Sequence, residues 1–409
     1  ELARAQEGNV KSKDKYSYIR KLMSDEFTGD SSHAKDLLNQ FVWSFEKYFM
    51  RNEHDYYILF APVKYWKSVG LMKKTFVDGF LANRGNFKAQ ESSVLVAQWK
   101  NEVDTITESL TVPAKEIWKD DKKWGTGKGV AVIDVPEDAI LKDVKHVTIR
   151  KVYKTLGEYY SKKVKSDVLS KIATGYDGRE VPLKSYGKPV YNDNILAVIE
   201  ASGFGTTPQD IRMTRIAIYH GRGSQVRTTN YAEQTALFVA KQYPQRNWYE
   251  RDIYYTTADK GDLYKKDIDF LRKSTLWTCV SQKNHCLSFH GSDGKFYNNE
   301  MCLDENSLVR KELVEQEKYG KLDRADLMLL GVFDELLELV KDTQEYNPEY
   351  NYGTYQIELE INTSYKDSND KKIFNNEKVN TKLKELKTRL ADYYENELES
   401  KLFEYELLK

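Results

Sequence analysis

Three cysteines, eight prolines and six histidines in 409 residues leave little material for the chemistry those side chains usually carry. Cys279, Cys286 and Cys302 are odd in number and crowd into one stretch, which argues against a disulfide framework and for a reducing, cytoplasmic setting. No apolar run approaches the roughly 20 residues that a membrane helix needs. The opening residues, Glu1-Leu-Ala-Arg-Ala5, hold neither a Met nor a secretory apolar core, so no membrane partner is expected, and a trimmed chain or interior fragment is. An excess of one charge is lacking too. Sixty-three Lys and Arg balance 63 Asp and Glu, so the whole molecule has no field that draws it to nucleic acid, and any such surface must come from local segregation of charge.

What is present argues for a folded protein. Aromatics make up 13% of the chain, with 29 Tyr and 7 Trp, far from the composition of a disordered polyampholyte. The length suits two or three domains with cores of their own.

Three textures follow one another. Up to about residue 110, helices and apolar runs alternate. Asp36 to Met50 places Leu37, Leu38, Phe41, Val42, Phe45 and Phe49 at helical spacing. Tyr56 to Phe60 and Ser93 to Trp99 read as strands, and a helix is expected over Leu71 to Phe80 between them, giving the β-α-β alternation of a parallel or mixed sheet. From 111 to 305 the pattern changes to short strands, glycine turns and aromatic-basic mixtures. Ile195 to Glu200 and Thr214 to Tyr219 are strand candidates, and Ala232 to Gln242 a helix candidate. From 306 to 409 helices dominate, notably Leu322 to Lys341 and Thr381 to Leu408, joined through the Tyr- and Asn-rich run Tyr346 to Tyr355. The expected class is α+β.

Several clusters invite a chemical reading. Gly125-Thr-Gly-Lys-Gly129 resembles a phosphate-cradling loop only superficially, because the P-loop spacing is absent, and a plain loop is the simpler account. Cys279, His285, Cys286, His290 and Cys302 bring five metal-capable side chains together without paired Cys-x-x-Cys spacing, so core packing is favoured, with a zinc-supported domain as the alternative that metal analysis would separate. Glu358 and Glu360 fall on one face of an expected strand, as a metal-dependent nuclease would need, but no Asp and Lys accompany them at the spacing such a site requires. No catalytic or metal site is assigned.

The nucleic-acid candidates are more extensive. Arg222, Arg227, Lys241, Arg246 and Arg251 interleave with Tyr219, Tyr231, Tyr243, Trp248 and Tyr249; guanidinium forks suit phosphates and guanine edges, and rings stack on unpaired bases. A second basic tract, Lys145 to Lys165, includes Lys151 and Lys154 and has few acids, so it can follow a phosphate backbone. A solvated surface with snorkelling side chains is the competing reading of both.

The order of these pieces resembles the back half of adenine-N6 DNA methyltransferases, above all single-chain restriction-modification proteins. Tyr56 to Ser68, Phe76 to Phe87 and Ser92 to Asn101 look like the strand, helix and strand that follow the family's catalytic motif. Gly221 to Asn230, Cys279 to Phe289 and Gly291 to Glu300 resemble downstream segments, and Tyr352 to Gln356 with the helix around Leu383 to Leu386 resembles the family's close. The resemblance implies a partial Rossmann-like methyltransferase sheet (1–110), a DNA target-recognition domain (111–305) and a helical C-terminal region (306–409). The family's glycine-rich S-adenosylmethionine loop and its Asn/Asp-Pro-Pro-Tyr/Phe motif are absent, and Asn347-Pro-Glu-Tyr350 has the wrong third residue and the wrong place in the order, so it reads as a turn.

The expected function is therefore the double-stranded-DNA-binding, target-recognition portion of a bacterial restriction-modification or phage-defence methyltransferase, not catalytic alone. S-adenosylmethionine, with Mg as a further candidate, belongs to the full-length protein and not to this chain. A separate catalytic part or partner subunit is the expected companion. A non-enzymatic protein-binding scaffold in a defence or mobile-element system is the alternative, with association through apolar patches around the C-terminal helices.

Overall fold

The computed structural model describes residues 18–26, 34, 36–67, 74–87, 89–103, 109–118, 140–150, 172–174, 180–182, 195–199, 204–205, 224–251, 253–254, 263–290, 294 and 296–408. The fold is mixed α+β, and its described residues fall into two compact units. Unit 1 lies within Glu1–Tyr159 and Pro244–Tyr255, unit 2 within Tyr160–Tyr243 and Thr256–Leu408.

Unit 1 is built on helices α1 (Tyr18–Glu26) and α2 (Leu37–Tyr48) and strands β1 (Tyr56–Ala61), β2 (Lys74–Asn83), β3 (Ser93–Val103), β4 (Ser109–Trp118) and β5 (Ile140–Arg150). The strands form one mixed sheet in the order β1-β3-β2-β4-β5, with β2 parallel to β4 and the other pairs antiparallel. Asp36 starts α2 by accepting the Leu38 N–H at 3.0 Å, which satisfies one of the donors a helix N-terminus leaves open. Val42 of α2 then packs with Leu95, Ala97, Trp99, Leu110, Val112, Ala114, Val147 and Ile149, the alternate side chains of β3, β4 and β5.

The described part of the segment, 74–80, corrects the sequence expectation. It belongs to β2 and not to a helix, so β1 and β2 each lie antiparallel beside β3 where a β-α-β unit was expected. Two breaks in register, at Lys74/Thr75 and at Phe76/Asp78, disturb the period of two that would have revealed a strand. As a result Phe76 and Leu81, five positions apart, both meet the core. Gly79 fits this strand closely: a β-carbon there would lie 2.6 Å from the Val96 carbonyl oxygen.

In unit 2, strands β6 (Ile172–Thr174) and β7 (Glu180–Pro182) pair as a hairpin. Strands β8 (Ile195–Ile199), β9 (Phe204–Gly205), β10 (Ser224–Arg227) and β11 (Asn284–His285) form a four-stranded sheet in the order β10-β8-β9-β11. Two small hairpins follow, β12 (Phe289–His290) with β13 (Phe296–Tyr297), and β14 (Ser364–Lys366) with β15 (Lys372–Phe374). The main helices are α3 (Tyr231–Lys241), α4 (Ile268–Val280), α5 (Arg324–Lys341), α6 (Glu377–Tyr393) and α7 (Glu399–Glu404).

Helix α4 is the axis of this unit. Every residue from Phe270 to Val280 is buried, a burial all round that marks a helix enclosed by others. Trp277 donates its indole N–H to the Leu390 carbonyl at 3.0 Å, and the Thr235 and Thr275 hydroxyls bond at 2.9 Å, tying α4 to α6 and α3.

Two expected boundaries fall inside continuous cores. The division expected at 110 cuts β4, a member of the same sheet as β3. The division expected at 305 separates Cys279, Met301 and Leu303 from Leu313, Phe333, Leu336 and Leu386, members of one apolar cluster. Glu358 and Glu360 sit in a π-helical turn, Ile357–Ile361, and not on a strand, a second correction. Thr214 to Tyr219 and Gly125 to Gly129 lie outside the described residues.

Candidate nucleic-acid interface

Of the nine residues expected to touch nucleic acid, Arg222, Lys151 and Lys154 lie outside the described residues. The other six divide between the two units. Arg227 closes β10 and Lys241 sits in the last turn of α3, both half-buried in unit 2. The Arg227 backbone N–H donates to Asn230 Oδ1 at 2.7 Å.

Arg246, Trp248, Tyr249 and Arg251 belong to unit 1. Trp248 is only 8% exposed and packs in the apolar core with Val42 and Trp99, so its faces are already covered. Tyr249 meets Trp248 edge-on at 5.5 Å. The Arg251 guanidinium donates to the Glu91 carbonyl at 2.9 Å, and the Arg251 carbonyl accepts from the Ser93 hydroxyl at 2.7 Å. These bonds tie the 244–255 segment to the rim of the sheet. Arg246 is exposed, and its backbone N–H is accepted by Glu250 at 3.2 Å.

The second basic tract is better displayed. Its described part, Lys145 to Arg150, is the end of β5, the strand at one edge of the unit 1 sheet. Val147 and Ile149 point into the core, whereas Lys142, Lys145, His146, Thr148 and Arg150 are exposed. Lys145 lies 5.5 Å above the Tyr249 ring, a cation–π contact that orients the ammonium without removing it from water. Of the neighbouring acids, Asp143 is paired across the strands with Lys115 at 3.3 Å. Alternation along the strand puts Lys145 on the face of Val147 and Ile149 and puts His146 and Arg150 on the other; among the described residues Asp143 is the one carboxylate of β5, and Glu116 of β4 stands opposite Lys142 in register. Sequence reading had Lys145 to Arg150 in view but not Lys142, which precedes the tract.

The cysteines form no such surface. Cys279, Cys286 and Cys302 are fully buried and unbridged, and burial pushes all three thiols well above their usual range, with the neighbouring cysteines adding to the effect on each. Among the described residues no group of three or more His, Cys, Asp and Glu side chains is placed to hold a metal ion. Glu358 and Glu360 are each engaged, with Gln282 and Gln356 respectively, and burial raises both carboxyls above the usual range. Asn347 serves a turn: its side-chain oxygen accepts the Glu349 N–H at 3.0 Å.

One further carboxyl in unit 1 is perturbed. Burial pushes Glu46 of α2 up to about 7, against the pull of the Tyr57 hydroxyl, 2.8 Å away, and the charge of Lys74. Because the folded value lies above the ordinary 4.5, this group favours folding when protonated; its contribution is complete below about pH 4.5 and is lost as pH rises through about 7. The loss is on the order of 3 kcal/mol. Urea titrations at pH 5 and pH 8 should show unit 1 weakening at the higher pH, and Glu46→Gln, which keeps a partner for Tyr57, should flatten the difference. An unchanged difference in the variant would assign the pH dependence to other groups.

Comparison with protein-family models, curated proteins and solved structures finds no match for this chain. Among the described residues no helix is long and apolar enough to cross a membrane.

Proposed function

We propose that this chain is a DNA-binding module that grips the phosphate backbone of a duplex through the exposed edge strand β5. It would serve as the recognition portion of an adenine-N6 DNA methyltransferase whose S-adenosylmethionine loop and catalytic motif this sequence lacks. The observation that carries the reading is the exposure of Lys142, Lys145, His146 and Arg150 along one strand at the end of the unit 1 sheet order. Phosphate contacts fix the position of a protein on DNA without reading sequence, and exposed cations on both faces of a strand can meet neighbouring phosphates. In the same reading, unit 2 supports the segments that read the target, and methyl transfer belongs to a companion catalytic part.

The test is duplex binding across a salt series by fluorescence anisotropy. Three phosphates neutralised by Lys142, Lys145 and Arg150 give a slope of about −3 in log affinity against log salt. A chain that fails to bind duplex at low salt is not a DNA-binding module.

A second reading is favoured by a separate observation. Phe41, Phe49, Ile58 and Phe60 of α2 and β1 are all more than half exposed, Phe49 and Ile58 each at 67%. Such a surface suits a protein-binding scaffold. It lies in unit 1, whereas the sequence pointed to the C-terminal helices, where Leu327, Met328 and Leu359 are also exposed. Salt-insensitive association with a protein, and indifference to DNA, would select this reading.

A further inference from the structure

The edge of the unit 1 sheet opposite β5 has a surface of a different kind. Among the described strands β1 has β3 as its single neighbour, and the two pair without a break in register. The Asp55 carbonyl accepts the Asn101 N–H at 2.9 Å, so Asp55 turns its backbone groups toward β3. Backbone direction alternates along an antiparallel strand, which turns the groups of Tyr57 and Leu59 toward β3 and those of Tyr56, Ile58 and Phe60 away from it. The side chains of the same three residues lie on the face opposite buried Tyr57 and Ala61, and they are 51%, 67% and 57% exposed.

Sheet edges are ordinarily blunted by charge, proline or a bulge. The β5 edge is: it carries Lys142, Asp143, Lys145 and Arg150, and its pairing with β4 shifts between Ala114 and Lys115. The Tyr56–Ala61 strand has no charge, no bulge and no proline within it, and Pro62 comes only after the strand ends. Such an edge is matched in a protein by another strand, and self-complementarity says which. Antiparallel pairing of β1 with β1 about a two-fold axis at Ile58 sets Ile58 against its own copy and Tyr56 opposite Phe60 of the second copy, with no like charges opposed.

The surface continues onto α2. Phe45 stacks between Phe41 and Phe49 and meets Tyr57 edge-on at 5.5 Å, so this stripe of α2 lies over β1 on the face opposite Ile58. Phe41 is 62% and Phe49 67% exposed. With Tyr56, Ile58 and Phe60 they leave on the order of 600 Å² of largely apolar side chain open, most of the roughly 800 Å² per partner in a standard specific interface.

We propose that this chain forms a two-fold dimer through β1, which joins two five-stranded sheets into one and leaves β5 at both outer ends. The proposal rests on the protein-binding reading above and names the partner as a second copy of the chain. The test is sedimentation of the full chain over about 1 to 100 μM, with a thermal melt to confirm that each variant is folded. Wild type should pass from monomer to dimer with a Kd in the micromolar range that is insensitive to salt. Ile58→Lys and Ile58→Glu, each setting like charges face to face, should weaken the dimer about hundredfold. An equimolar mixture of the two should recover it as a heterodimer, because position 58 meets itself. Ile58→Thr, which keeps a strand-forming residue, should weaken it about tenfold and serves where a charge disturbs the fold. Leu327→Lys in unit 2 should leave it unchanged. A wild-type chain that stays monomeric, a dimer indifferent to every change at residue 58, or folded charge variants that fail to recover on mixing would each overturn the proposal. Such a result leaves the protein-binding reading standing if a different protein binds in a salt-insensitive manner, and that reading falls separately if duplex is bound and no protein is.

Discussion

Replacing Asp326 with Ala should cost unit 2 about 3 to 5 kcal/mol, the loss typical of a buried ion network stripped of one partner. Asp326 is fully buried at the start of α5. Its carboxylate accepts from Arg272 Nε at 2.8 Å, from the Tyr393 hydroxyl at 2.5 Å and from the Asp323 backbone N–H at 3.1 Å, with Lys273 Nζ at 3.3 Å. One side chain thus joins α4, α5 and α6. Burial pulls Lys273 down, but its bonds to Asp323 and Glu397 and the charge of Asp326 outweigh that and hold it above the ordinary lysine value. Arg272 and Lys273, 5% and 4% exposed, would be left in the interior without their shared counter-ion. Asp326→Asn, which keeps the shape and loses the charge, should fall between wild type and Asp326→Ala in chemical denaturation. If Asp326→Ala unfolds within about 1 kcal/mol of wild type, neighbouring acids Asp269, Asp323 and Glu397 suffice to hold the two cations.

Reversing the charges of Lys142, Lys145 and Arg150 to Glu should weaken duplex binding by about two orders of magnitude at low salt and bring the salt slope close to zero. All three side chains are exposed, so little stability should be lost, and the thermal midpoint serves as the control. The effect should be the same for any duplex sequence, because phosphate contacts carry no base information. A variant that keeps the wild-type slope would place the grip elsewhere. Reversal of Arg251 makes an informative contrast: its guanidinium holds the Glu91 carbonyl, so the change should disturb the rim of the sheet as well as the local field.

Much of the helical structure was legible because its signals are local. Leu322 to Lys341 announces an amphipathic helix, and Asp323 and Asp326 close its first turn reciprocally as a capping box. Asp36 and Asp267 cap α2 and α4 by a single bond each, accepting the Leu38 and Phe270 N–H groups. The strands Tyr56–Ala61 and Ser93–Val103 were legible as apolar runs, but β2 was not, since its two register breaks erase the alternation that marks a strand. The mixed character of the sheet was expected; the antiparallel arrangement of β1, β2 and β3 followed only from which strands met.

The candidate sites show the same division. Interleaved Arg and aromatic residues between 219 and 251 looked like one surface, yet Arg227 and Lys241 belong to one unit and Arg246 to Arg251 to the other, and Trp248 is spent on the core. The contacts among His290, Phe296 and Tyr350 carry no signal in the sequence, because Tyr350 stands 54 positions beyond Phe296 and bonds from Asn351 to Ser288 and Asn298 bring its segment to the hairpin.

By itself, then, the amino-acid sequence determined what depends on neighbours within a few positions: the helical faces, the apolar strands, the lack of a disulfide framework and the absence of the methyltransferase family's nucleotide and catalytic motifs. The tertiary structure alone decided which basic residues are displayed, which aromatics are buried, and where the rings of His290, Phe296 and Tyr350 meet. Those outcomes depend on strand register and on contacts between distant segments, whose free energies have no counterpart in local propensity.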